Sequence, residues 1–377
     1  MKIERCLTKE IISKLDQSDK AIILYGPRQA GKTTLCRDII AAVPFKTLYI
    51  NADEARFIDA LSSRDSRILT NLVAGYKLVI IDEAQRVPDI GINLKILIDA
   101  NTGVKIIATG SSSFDLANKV QEPLTGRHWT YLLYPIAHLE LKEQFNLFEL
   151  RSQVEERLVW GSYPEIFSIT GQERKEEYLR ALASDYLYKD IVMLADVRNA
   201  RKIHDLLRLL AFQVGNEVSL SELAAGLEMS KETVSRYLDL LEKSFVIMRI
   251  GGFGRNLRKE VTKSVKYYFY DNGVRNSIIE DFKSFQARAD TGALWENFLV
   301  MERIKRNAYS KISASAYFWR TYDQQEIDLV EEREGGLFGY EMKLGPKKSV
   351  APRAWLTAYP NATYEVINKE NYLDFIL

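Results

Sequence analysis

Five short apolar runs punctuate the first 135 positions, with polar and helix-period sequence between them. They are "AIILY" at 21–25, "KTLYINAD" at 46–53, "KLVIID" at 77–82, "GVKIIATG" at 103–110 and "HWTYLLYP" at 128–135. Runs that do not alternate suit strands covered on both faces, and helices between such strands make a parallel α/β sheet. The period then changes. In "RKEEYLRALASDYLYKDIVMLADV" (174–197) apolar residues recur at three and four, as on helices packed against a neighbour. "VSLSELAAGLEMSKETVSRYLDLLEKSFVIMRI" (218–250) reads as helix, tight turn, helix and strand, with Ser219 or Ser221 capping the first helix. Val234, Tyr237, Leu238 and Leu241 lie on one face of the second helix, and "VKYYFY" supplies a further strand. Residues 291–307 form an amphipathic helix with Leu294, Phe298, Leu299 and Ile304 inward. Strand-like runs follow at 316–332 and in "GLFGYEMKLG". The pattern predicts four parts: a parallel-sheet α/β domain over 1–145, a helical lid or linker over 146–202, a helix–turn–helix with flanking strands over 203–280, and a small α/β domain over 285–377.

Composition narrows the class. At 377 residues the chain exceeds one ordinary core. Lys plus Arg number 52 against 51 Asp plus Glu, so any polyanion-binding surface must be local. Cys6 and Cys36, with His128, His138 and His204, lack metal-ligand spacing, so zinc is not expected and a reducing cytoplasm is. The first residues lack the apolar run of a signal peptide, and no run approaches 18 apolar residues, so no membrane span is expected.

The chemistry is concentrated after the first run. Gly26 and Gly31 bracket four residues and precede Lys32 and Thr33, the full pattern of a phosphate-binding loop. Gly26, Pro27, Arg28, Gln29, Ala30, Gly31, Lys32, Thr33 and Thr34 are the expected nucleotide-binding residues, with ATP and Mg²⁺ as cofactors. Glycines let backbone N–H groups converge on phosphate oxygens at a helix N-terminus; Lys32 reaches the β- and γ-phosphates, and the Thr33 hydroxyl holds the metal. Asp82 ends a buried-type strand and is the second expected metal residue. Glu83 is placed to deprotonate the attacking water. The strand candidate between the two motifs, with the Glu after the Asp, marks the hydrolysis-competent branch of phosphate-loop ATPases. After the next strand come Thr109, Ser111 and Ser112; Ser111 or Ser112 is expected to sense the γ-phosphate, unless "SSSFDL" is a helix cap. Arg127 is either a finger for the γ-phosphate, in its own chain or a neighbouring copy of a homo-oligomer, or a surface residue.

"LYGPRQAGKTTL", "IIDEAQ", "TGSSSF" and "LTGRHWTYLLYP" together resemble the bacterial and archaeal AAA-superfamily ATPases with a C-terminal restriction-endonuclease-like domain. "VWGSYPEIF" (159–167), "KYYFYDNGVRNSI" (266–278), "ALWENFLVMERI", "EIDLVEE" and "YEMKLG" extend the resemblance to the end. Ser162 stands where that family usually has glycine, in a loop whose expected role is close to the nucleotide. The resemblance implies an AAA-type P-loop core, a helical lid, a winged helix and a PD-(D/E)xK nuclease-like domain. In the last, Glu296, Asp328, Glu341 and Lys343 follow the order of a metal-and-lysine site, although Ile327 replaces the motif's proline. On the winged helix, Lys231, Thr233, Ser235 and Arg236 would face a DNA groove. Arg255 and Arg258, in a stretch (249–266) with six basic residues against Glu260, would contact phosphates. The alternative is a winged helix that serves interdomain packing. The expected function is an ATP-hydrolysing switch on or near DNA or RNA. A switch-gated nuclease, or a non-catalytic ATP-binding adaptor, are the alternatives.

Overall fold

The computed structural model describes residues 2–111, 123–185, 200–254, 265–345 and 349–377. The chain divides into two compact units, residues 2–135 (with 243–245) and residues 136–242 with 246–377.

In the first unit β1 (Ala21–Tyr25), β2 (Thr47–Asn51), β3 (Leu78–Asp82), β4 (Lys105–Gly110) and β5 (His128–Leu132) form a sheet in the order β2-β3-β4-β1-β5. Every pairing is parallel. β1 and β3 are buried along their whole length, which is why their sequences do not alternate. The strand that intervenes between the two motifs in sequence, β2, lies at the sheet edge. The strand between β1 and β3 in space is β4, from later in the chain. Parallel pairing brings the carboxyl ends of β1, β4 and β3 side by side, where open α/β sheets gather ligands.

The second unit has helices along its first part, then a sheet. β6 (Glu217–Val218), β7 (Ile247–Gly252), β8 (Val265–Phe269), β9 (Ser315–Arg320), β10 (Glu326–Arg333), β11 (Gly336–Met342) and β12 (Thr363–Ile367) lie in the order β12-β11-β10-β9-β7-β8-β6. The helix–turn–helix forms as the spacing predicts, over Leu220–Gly226 and Lys231–Lys243. Ser219 caps the first helix and Ser230 the second, while Val234, Tyr237, Leu238 and Leu241 are buried. The β7–β8 hairpin does not end there. β7 also pairs in parallel with β9, through Gly251 with Tyr317 and Gly252 with Phe318. One sheet therefore runs through the boundary expected at 280–285.

Two stretches that carried the resemblance interlock inside this unit. Asp271 Oδ2 accepts the Ser162 N–H at 2.6 Å and Oδ1 accepts that of Val274 at 3.1 Å. A Cβ on Gly161 (φ 73°) would fall 2.0 Å from Asp271 Oδ1, and one on Gly273 would fall 2.3 Å from the Trp160 carbonyl oxygen. Asn276 donates to the Leu158 and Val159 carbonyls at 3.1 and 2.8 Å. The glycines in "WGS" and "DNG" are there for close backbone approach.

Candidate nucleotide site

The loop between β1 and the Lys32–Ala42 helix bends back on itself. Gln29 has φ 57° and Gly31 φ 99°, left-handed conformations that turn successive N–H groups toward one side. Gly26 sits against β5's exit: a Cβ there would lie 2.3 Å from the Leu133 carbonyl oxygen. The Lys32 ammonium, only 5% exposed with its residue, donates to the Gly26 and Pro27 carbonyls at 2.8 and 2.9 Å. Arg5, ahead of the Cys6–Gln17 helix, donates to the Ala30 carbonyl at 2.7 Å.

Asp82, at the carboxyl end of β3, is held by hydroxyls from three elements. Its Oδ2 accepts Thr33 Oγ1 at 2.7 Å and Tyr49 OH at 2.5 Å, and its Oδ1 accepts Thr109 Oγ1 from β4. Burial pushes the carboxyl's pKa up, but these three donors and Lys32 together outweigh it and hold it below the usual range. Asp82 is therefore a carboxylate in position beside a hydroxyl. This is the hard oxygen donor pair that Mg²⁺ takes alongside waters and phosphate, so the residues fit the ion.

Glu83 is in the left-handed region (φ 55°, ψ 38°), which for a side-chain-bearing residue costs on the order of 1 kcal/mol or more. Thr109 Oγ1 accepts its N–H at 3.3 Å. Gln85 Nε2 donates to Glu83 Oε2 at 2.5 Å and lies 3.4 Å from Ser111 Oγ. Thr33, Asp82, Glu83 and Ser111 thus meet at one end of the sheet, while Ser112 lies outside the described residues. Tyr49, Gln85 and the clamp by Thr109 escaped the sequence reading. "IIDEAQ" held the signal for Gln85; nothing local singles out Tyr49.

Arg127 is a correction to the expected in-chain finger. It precedes β5, where its carbonyl accepts the Ala21 N–H at 3.0 Å, at the amino end of the sheet. The loop follows Tyr25, whose partner on β5 is Leu132. Five residues of strand separate the two levels, about 16 Å at 3.3 Å per residue. Its guanidinium pairs with Asp99 at 2.8 Å.

The four nuclease-type residues do come together in the second unit, but with unexpected company. Met342 N–H occupies Asp328 Oδ2 at 2.7 Å, and Lys343 pairs with Glu341 at 2.5 Å. Lys266, on β8 and buried, sits 3.4 Å from Glu296 and 2.5 Å from Glu326, and Tyr268 OH donates to Glu296 at 2.7 Å. Among the described residues no three His, Cys, Asp or Glu are grouped to hold a metal ion. One Asp328 oxygen is taken by the backbone, and Lys266 and Lys343 offset only part of the charge of Glu296, Glu326, Asp328 and Glu341. Removing Lys266 tests its place. Lys266→Met should destabilise the chain by about 3 kcal/mol in chemical denaturation at pH 8, because carboxylates are left uncompensated. Burial, then the nearby Asp328 charge, already raises Glu296 to about 7. A carboxyl raised in the fold holds its proton where the unfolded chain has lost it, so stability falls as the pH climbs from about 4.5 through 7. The Lys266→Met deficit should thus be smaller at pH 5; equal stability of variant and wild type at pH 8 would refute the role.

On the helix–turn–helix, Lys231 and Arg236 are exposed as expected, whereas Arg255 and Arg258 lie outside the described residues. A groove of about 700 Å³ runs beside the second helix. Glu217, Glu222, Asp239 and Glu242 line it with Arg249, a balance unfavourable to phosphates.

Residues 18–142 match the model of a family described as AAA domain. The parallel sheet and the loop above agree with that match, and the segment resembles an AAA-type P-loop domain. Residues 151–284 and 291–369 match two families each described as a domain of unknown function, DUF8612 and DUF4143. The chain is similar to an uncharacterized protein of Mycobacterium tuberculosis, 29% identical over 337 residues, covering 88% of this chain and 71% of the relative. It is also similar to an uncharacterized protein of Methanocaldococcus jannaschii, 30% identical over 316 residues, covering 72% and 65%. A solved Walker-type ATPase of Pyrococcus abyssi overlays with TM-score 0.49 at 16% identity, covering 72% of this chain and 94% of that one. No helix among the described residues is long and apolar enough to cross a membrane.

Proposed function

We propose that the protein binds ATP with Mg²⁺ and hydrolyses it, and that nucleotide state sets the conformation it offers to a partner. The observation that carries this reading is the 2.7 Å contact between Thr33 and Asp82, which joins the two motifs at the carboxyl ends of their strands. Amides of the 26–31 loop and the N-terminus of the Lys32–Ala42 helix take the phosphates, and Lys32 pairs with the β- and γ-groups. Thr33 and Asp82 would hold the magnesium, which would offset the charge developing on phosphate. Glu83 removes the proton of the attacking water, oriented by Gln85, while Thr109 fixes Asp82 and the Glu83 backbone. Ser111, beside Gln85, reports the γ-phosphate.

The second unit we read as a winged helix used for packing, followed by a nuclease-like module that binds a partner without cutting. Two observations favour this over a DNA reader: β9 occupies the outer edge of β7, and carboxylates line the groove beside the second helix. Titrating the full chain with Mg-ATP should give calorimetric heat and raise the melting temperature. About 2.7 kcal/mol of stabilisation is expected at a hundredfold excess over Kd. A flat titration with an unmoved melting point at millimolar nucleotide would end the proposal.

A further inference from the structure

A loop that presents its N–H groups to phosphate must turn its carbonyls the other way, and those carbonyls need donors once buried. Lys32 supplies them for Gly26 and Pro27. Ala30, next to Gly31, is served from outside the loop. Arg5 is 5% exposed, and its two terminal nitrogens donate to the Ala30 carbonyl at 2.7 Å and to the Tyr134 carbonyl at 2.6 Å. Tyr134 follows Leu133, the residue against which Gly26 is pressed and whose N–H bonds the Tyr25 carbonyl at 2.8 Å. Both ends of the loop therefore rest on the exit of β5: one by direct backbone contact, the other through a guanidinium.

We infer that Arg5 is a positioning residue for the nucleotide site, holding the Ala30 peptide so that the adjoining amides stay aimed at the phosphates. The inference rests on the nucleotide reading above. The planar fork is suited to the task because it serves two carbonyls in fixed directions, which a single ammonium does less well. Since the arginine touches the loop's back and not the reacting atoms, its loss weakens nucleotide binding more than it slows the bound complex.

Arg5→Met and Arg5→Lys test this in the full chain, with Mg-ADP affinity measured calorimetrically well below each variant's melting point and KM and kcat measured for ATP. Arg5→Met should weaken affinity about tenfold or more and raise KM similarly, with kcat changed less than about threefold. Arg5→Lys should fall between it and wild type. A role confined to stability would lower the melting point and leave affinity unchanged. Wild-type affinity in Arg5→Met overturns the inference, and if that variant does not fold, wild-type affinity in Arg5→Lys does so. Absence of Mg-ADP binding by the wild type would instead overturn the nucleotide reading itself.

Discussion

Lys32→Ala binds Mg-ATP at least about a hundredfold more weakly than wild type, in effect abolishing binding at micromolar nucleotide. Two losses combine. On the proposed reading the ammonium pairs with the β- and γ-phosphates, and charge-assisted contacts in a partly desolvated cleft are about twice as strong as neutral ones. The same ammonium satisfies the carbonyls of Gly26 and Pro27, so its removal also loosens the unliganded loop. The measurement is a calorimetric titration, with the far-ultraviolet spectrum and melting point as controls for folding. Affinity within threefold of wild type in a folded Lys32→Ala protein would show that the loop does not hold the triphosphate in this way.

The second large effect separates binding from chemistry. Glu83→Gln keeps nucleotide affinity within about threefold and lowers kcat by roughly 10²–10⁴-fold, the usual worth of a positioned general base. The side chains are nearly isosteric, and the left-handed backbone at 83 is enforced by its neighbours, among them the Thr109 hydroxyl that accepts its N–H. What disappears is the ability to take a proton. Single-turnover hydrolysis in an enzyme saturated with ATP reads the step directly. Turnover near the wild-type rate would remove Glu83 from its role and point to another base.

How far such roles could be read in advance depended on how local their signals were. Gly26, Gly31, Lys32, Thr33, Asp82 and Glu83 were legible because a turn that cradles phosphate and a strand that ends in carboxylates impose residue types at fixed spacing. Tyr49 was not legible: it acts only because β2 lies next to β3, with Asn51 level with Asp82. For a related reason the sequence left Arg127 open between a finger in its own chain, a finger in a neighbouring copy and a surface residue. Its neighbours in sequence are at the motif-bearing part of the chain, but parallel pairing of β5 with β1 puts it at the sheet's other end.

The terminal helix shows the same limit in apolar patterning. Leu294, Phe298 and Leu299 face inward as their spacing predicts, whereas Ile304 is only half-buried. Glu302, Arg303 and Lys305 are buried too: helical spacing puts them on the face of Phe298 and Leu299, but their charge reads as solvent-facing. They go inside because they are paired there: Arg303 forks onto Glu331 at 2.8 and 2.7 Å, and Lys305 meets Glu302 at 2.7 Å. Lys266 repeats the lesson, since a lysine within a basic stretch reads as a solvated cation until β8 carries it among Glu296, Glu326 and Asp328.

By itself the sequence determined the parallel α/β class of the first unit, the loop and carboxylates of the candidate nucleotide site, and the helix–turn–helix, because each depends on the period or spacing of nearby residues. Only the tertiary structure decided that β4 separates β1 from β3, that Arg5 contacts the back of the loop, that one sheet joins the hairpin to the terminal strands, and that Lys266 enters the acidic cluster. Those outcomes depend on which distant segments become neighbours. Strand pairing and buried ion pairing are settled between residues far apart in the chain, where no local pattern records the partner.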